Sequence, residues 1–136
     1  MAKRRRGAQR ARTRSSHHRP FEALVDQALA SIPQPFAAAL DEVAIVIADE
    51  PSPEQIRENE IEPDEMLYGL YEGVPRTEWG ADWAPVPNRI TLFRLPLEAD
   101  FADPDELCDE VWATVIHELA HHLGISDRRL DELGLD

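Results

Sequence analysis

One stretch of this chain carries its own start, stop and two faces. Asp103-Pro104-Asp105-Glu106 supplies a capping aspartate, a proline at the first helical position and an acidic residue three places after the cap. Gly124 stands where such a helix would end. The spacing predicts a helix from Pro104 to Leu123. On a wheel with His117 at 0° and about 100° per residue, Leu107, Val111, Val115, Leu119, Trp112, Leu123 and Ile116 fall between about 80° and 260°. His121 falls at about 40° and Cys108 at about 180°, so the thiol is expected in the middle of the buried arc. A helix this apolar on one side needs a layer to pack on, and the rest of the chain must supply it.

The remaining elements are short and mixed. Pro20 opens a predicted helix whose Phe21, Leu24, Val25, Ala28 and Leu29 share a face, and Pro33 and Pro35 stop it. Phe36 to Leu40 reads as a second short helix. Val43-Ala-Ile-Val-Ile-Ala48 is a β-branched run of strand length, Leu67–Tyr71 is a second strand and Arg89–Arg94 a third, with Pro96 marking its end or an edge. Residues 49–65 are acidic, hold three prolines and are expected as an exposed loop. Residues 76–88, with Trp79 and Trp83, have loop composition, and the two aromatics are expected to pack over the core or line a groove. The expectation is one α+β domain over 21–136, a small antiparallel or mixed sheet packed on the long helix.

The charges are segregated. Of 14 basic and 27 acidic side chains, residues 1–20 hold eight basic ones and no acid, so the net −13 divides into a +8 arm and a −21 body. The arm has almost nothing to bury and is expected to be disordered when free. Three roles fit it: a solubilising tail, a contact to nucleic acid or acidic lipid, or a fold-back onto the body's acidic surface. Cys108 is alone, which excludes an internal disulfide and a cysteine metal cage. No run of about 18 apolar residues exists for a membrane span, and no apolar leader follows the basic start. A reducing cytoplasm is the compartment these features fit. Nothing in the sequence sets an oligomeric state.

The chemistry lies in His117-Glu118-Leu119-Ala120-His121, an H-E-x-x-H pattern near the end of the long helix. On a helix, residues i and i+4 lie one turn apart and about 40° round, so two imidazoles converge on one metal ion. Glu118 projects beside them, where it can take a proton from a water polarised by the metal. A third protein ligand is usual. Gly124 in the left-handed conformation would turn the chain back and bring Asp127 toward the metal; Asp131 and Glu132 are rivals for the place. His122 points about 100° away from His121 and is expected to hydrogen-bond nearby, a carboxylate being the natural partner.

The motif His117-Glu118-x-x-His121-x-x-Gly124-x-x-Asp127 resembles that of the zincin metallopeptidases, in the branch on the metzincin side. Segment 21–136, including LYGLYEGVPRTEWG and RITLFR, is similar to the small bacterial zincin-like metallopeptidases. The resemblance implies a minimal zincin-like fold, a zinc ion (Zn2+) held by His117, His121 and Asp127, and Glu118 as general base. It also implies that an extended peptide or protein substrate lies along an edge strand, for which 89–94 is the candidate. Metzincins carry a methionine turn after the motif; none of the nine residues after Asp127 is Met, so the floor of the site is built differently. The function expected is zinc-dependent peptide-bond hydrolysis, with Tyr68 and Tyr71 as candidate second oxyanion donors. The alternative is a metal-binding interaction module with little turnover, tethered to a polyanion by the arm.

Overall fold

The computed structural model describes residues 2–6, 18–73 and 88–135. In chain order the elements are β1 (Ala2–Arg6), α1 (His18–Ala30), α2 (Phe36–Ala39) continued by a 3₁₀ turn (Leu40–Glu42), β2 (Val43–Ala48), α3 (Pro53–Glu58), β3 (Glu65–Glu72), β4 (Asn88–Phe93), α4 (Arg94–Asp100), α5 (Pro104–Leu123) and α6 (Asp127–Glu132). The four strands form one mixed sheet in the order β1-β3-β4-β2. β3 runs antiparallel to both β1 and β4, and β2 runs parallel to β4. The α+β architecture expected from the sequence is the one observed.

The long helix has the ends its sequence specifies. Asp103 accepts from the Glu106 amide, and Pro104 occupies the first turn. At the other end Gly124 adopts φ 76°. The Ile125 amide donates to the Ala120 carbonyl at 2.7 Å and the Gly124 amide to His121 at 3.1 Å, which is a Schellman termination. α1 and β3 pack on α5, and the main core includes Phe21, Val25, Phe36, Ile90, Leu92, Val111, Val115 and Leu119. A smaller cluster of Leu67, Leu70 and Phe93 lies apart from it, with Ala48 and Ile61 against it.

Strand β3 does not alternate regularly. Met66, Tyr68 and Tyr71 belong to the main core, whereas Leu67 and Leu70 belong to the smaller cluster. Strict alternation would put Tyr68 and Leu70 on one face. The break lies at Tyr68-Gly69, where the pairing with β1 steps from Lys3↔Gly69 to Arg4↔Leu67 and skips Tyr68. This is a β-bulge, and it returns Tyr71 to the face that α5 covers. Gly69 makes the close approach possible, because a Cβ there would stand 2.5 Å from the Thr114 γ-methyl of α5.

Several expectations change. The arm over 1–20 is not uniformly without structure: Ala2–Arg6 form a strand, because the outer edge of β3 offers backbone groups to pair with, and His18–Pro20 make the first turn of α1. Residues 7–17 lie outside the described residues, as do Trp79 and Trp83. The strand at 89–94 is not an edge. It lies between β3 and β2, and Ile90, Thr91, Leu92 and Phe93 are all buried, as in a strand covered on both faces. Within 49–65, α3 forms behind a capping box in which Ser52 and Gln55 bond each other's amides. Pro96 sits early in α4, and Arg94, fully buried, donates to Asp49 at 2.9 Å and to Glu98 at 2.8 Å. Cys108 is half-buried rather than central to the core. It borders a groove with Ala28, Trp112 and Leu135, and desolvation, aided by Asp109 and Asp105, raises its thiol pKa.

The tight seat of α5 on β3 leads to a first prediction. Gly69→Ala forces Thr114 away and is expected to destabilise the fold by about 1–3 kcal/mol. Gly124→Ala places a Cβ at positive φ and is expected to cost about 1 kcal/mol. Urea denaturation midpoints, at unchanged slope, measure both.

Candidate metal centre

The last two turns of α5 carry the motif, and the layers around them set the role open to each side chain. His117 and His121 are half-buried on the side of α5 away from its buried arc. The Schellman turn reverses the chain, Ser126 caps α6 by accepting from the Arg129 amide, and Asp127 begins that helix. The reversal brings Asp127 Oδ1 to 3.7 Å from His117 Nδ1. Asp127 is thus beside the first motif histidine, ten residues earlier in the chain, while its side chain stays 58% exposed. Asp131 and Glu132 are exposed, and Glu132 faces Arg129 at 3.3 Å.

Glu118 is fully buried. Its Oε1 accepts a 2.9 Å hydrogen bond from the backbone amide of Tyr71 on β3. This bond ties the helix to the strand at the motif's central residue. A buried carboxylate that accepts from a backbone N–H is held in one direction, which is the condition for a group that must meet a substrate in fixed geometry.

His122 is buried completely and faces the core, not the two motif histidines. Its Nε2 lies 2.8 Å from Glu42 Oε1 and its Nδ1 lies 2.8 Å from the Tyr71 hydroxyl. With Glu42 ionised, Nε2 donates to the carboxylate and Nδ1 accepts from the tyrosine. The Tyr71 ring in turn stands edge-on to His121, with centroids 5.3 Å apart. Glu42, His122 and Tyr71 therefore form a relay of contacts that ends on a motif histidine. The sequence pointed His122 to a nearby carboxylate but held no sign of Glu42, which lies 80 residues away along the chain.

Both tyrosine hydroxyls proposed as oxyanion donors are engaged elsewhere: that of Tyr71 with His122, that of Tyr68 with Asp100. Tyr71 instead contributes its amide to Glu118 and its ring to His121.

Two imidazoles and one carboxylate are a donor set suited to zinc, with room for a water or substrate as a fourth ligand. The helical spacing and the 3.7 Å approach of Asp127 fit that use. As the side chains stand, no group of three or more His, Cys, Asp or Glu among the described residues is drawn tightly enough to hold a metal ion.

Comparison with known proteins shows the family of the chain. The family profile of the zincin-like metallopeptidases matches residues 40–135, which take in β2 to α6 and the whole motif. No curated protein matches the chain. A solved structure, described as a conserved hypothetical protein from Thermus thermophilus, is similar with 24% identity and a TM-score of 0.50, over 88% of this chain and all of that one. That likeness concerns the fold. Among the described residues no helix is long and apolar enough to cross a membrane.

The relay is testable by substitution. Glu42→Ala is expected to cost about 1–3 kcal/mol in urea denaturation, because a buried imidazole N–H loses its carboxylate. Glu42→Gln keeps an acceptor there and is expected to cost less.

Proposed function

The chain belongs to the zincin-like metallopeptidases, and on that premise we propose that it hydrolyses peptide bonds, with zinc held by His117, His121 and Asp127 and with Glu118 as the general base. The observation that carries this reading is the bond between Glu118 and the Tyr71 amide. It holds the carboxylate at β3, at the residue whose ring stands against His121.

Each residue then has a defined task. His117 and His121 present ring nitrogens from successive turns of one helix, so their separation is set by backbone geometry rather than by flexible loops. Asp127 adds an anionic oxygen from the far side of the Gly124 turn. When bound, zinc supplies Lewis acidity, lowering the pKa of a water to about 7 and polarising the substrate carbonyl. Glu118 accepts the proton of the attacking water and returns it to the departing amine. Tyr71 orients Glu118 through its amide and braces His121 through its ring, and His122 and Glu42 hold Tyr71. The acidic body around the site favours neutral or basic peptides over acidic ones.

Glu118→Gln is expected to keep zinc at one equivalent and to lower peptide cleavage by at least about 100-fold, a general-base loss. His117→Ala is expected to lose both zinc and cleavage. Asp127→Ala is expected to weaken zinc binding while leaving the fold intact by circular dichroism. Zinc content by atomic absorption and cleavage of an unstructured peptide library measure all three. Full cleavage by Glu118→Gln would overturn the mechanism, and zinc bound without cleavage by the parent chain would leave a metal-binding module in its place.

A further inference from the structure

Strand β1 is the feature the proposed chemistry leaves unused. Without it the sheet would be β3-β4-β2, and β3 would present an open edge of unpaired amides and carbonyls. Ala2–Arg6 close that edge, from Ala2↔Leu70 to Arg6↔Glu65, running antiparallel to β3. The next residue of β3 after Leu70 is Tyr71, whose amide is bonded to Glu118. β1 also approaches α5, the helix that carries the motif. A chain laid along this edge therefore has one end at the candidate general base.

We propose that residues 2–6 are an internal occupant of this edge and compete there with an extended peptide rich in lysine and arginine. The inference rests on the peptidase reading above. Three observations carry it. The occupant reads Ala-Lys-Arg-Arg-Arg, four adjacent cations in residue types that favour strands weakly, and its backbone pairs with β3 from Leu70 to Glu65. The approach to β3 is acidic: Glu60, Glu62, Asp64 and Glu65 precede or begin the strand, and Arg6 pairs opposite Glu65. The bulge at Tyr68-Gly69, which also switches the faces of the β3 side chains, interrupts the pairing for one residue only, so residues 2–6 follow the edge across it. Being part of the same chain, it competes at an effective concentration on the order of millimolar, and only a substrate that pairs better or is more basic displaces it.

The test uses the full chain with Arg4→Pro and Arg5→Pro. In an antiparallel ladder one of two successive amides faces the partner, so the pair removes a ladder donor whichever way the strand is phased. Hydrogen exchange of the amides from Met66 to Leu70 is expected to accelerate at least tenfold at those facing the outer edge, and kcat/KM on an unstructured basic peptide to rise about tenfold. A fluorescent peptide of sequence AKRRRG is expected to bind the variant at least tenfold more tightly than the parent, read by anisotropy. The full chain with Arg4→Ala and Arg5→Ala keeps its amides and is expected to keep the protection. Unchanged exchange in the proline variant, or equal peptide affinity in both chains, overturns the proposal. So does an alanine variant that releases the edge as fully as the prolines do. If no chain cleaves any peptide, the peptidase reading fails, and exchange with anisotropy still decides whether residues 2–6 hold the edge.

Discussion

The hydrogen bond from the Tyr71 amide to Glu118 joins the two parts of the structure that matter to the site, the end of α5 and the strand β3. It forms only because α5 lies close to the sheet, and α5 lies close because Gly69 has no side chain to push Thr114 away. The same closeness buries His122 and lets the Tyr71 hydroxyl reach it. Small residues, buried polar atoms and the position of the motif are thus one packing problem with one solution. A buried carboxylate is costly to fold around unless it is paired, and the backbone of β3 supplies the pairing.

Much of the site was legible in the sequence because it is local. The cap at Asp103, the stop at Gly124, the His-Glu-x-x-His spacing and the reversal toward Asp127 all act within about 25 residues along one helix and its turn. Helical periodicity converts such spacing directly into direction. The parts that were not legible depend on distant pairings. Nothing in the neighbourhood of Glu42 marks it as the partner of His122, and nothing in Leu67–Tyr71 announces a bulge. The place of β4 inside the sheet was written faintly, as an apolar Ile-Thr-Leu-Phe run without alternation, but Pro96 pointed to an edge. α3 was hidden for the opposite reason. Its Ser-Pro-Glu-Gln signature is sound, and the acidic, proline-rich surroundings outweighed it.

Charge also reads differently once the chain is folded. As a sequence, the basic arm and the acidic body look like two regions with separate uses. In the structure the first cations lie along a strand that the acidic segment 60–65 leads into. Arg94 reverses the pattern inside the molecule, a buried cation held between Asp49 and Glu98 where β4 passes into α4. Removing one partner of such a buried pair costs far more than the pair contributes, so its value is in fixing where the strand ends and the helix begins.

The bulge in β3 sets a reading frame for the strand. Before it, Leu67 and Met66 face opposite ways under one count; after it, Leu70 and Tyr71 do so under another. Deleting Tyr68 or Gly69 would remove the extra residue and straighten the strand, and Leu70 and Tyr71 would keep the faces they have. Deleting any other residue between Met66 and Tyr71, or inserting one, would instead turn one half of the strand over against the other, and the Tyr71 ring and Leu67 would then compete for one side. A strand of this kind tolerates substitution far better than most changes of length. Length variation between relatives should therefore collect before Glu65, after Glu72 or at the bulge itself.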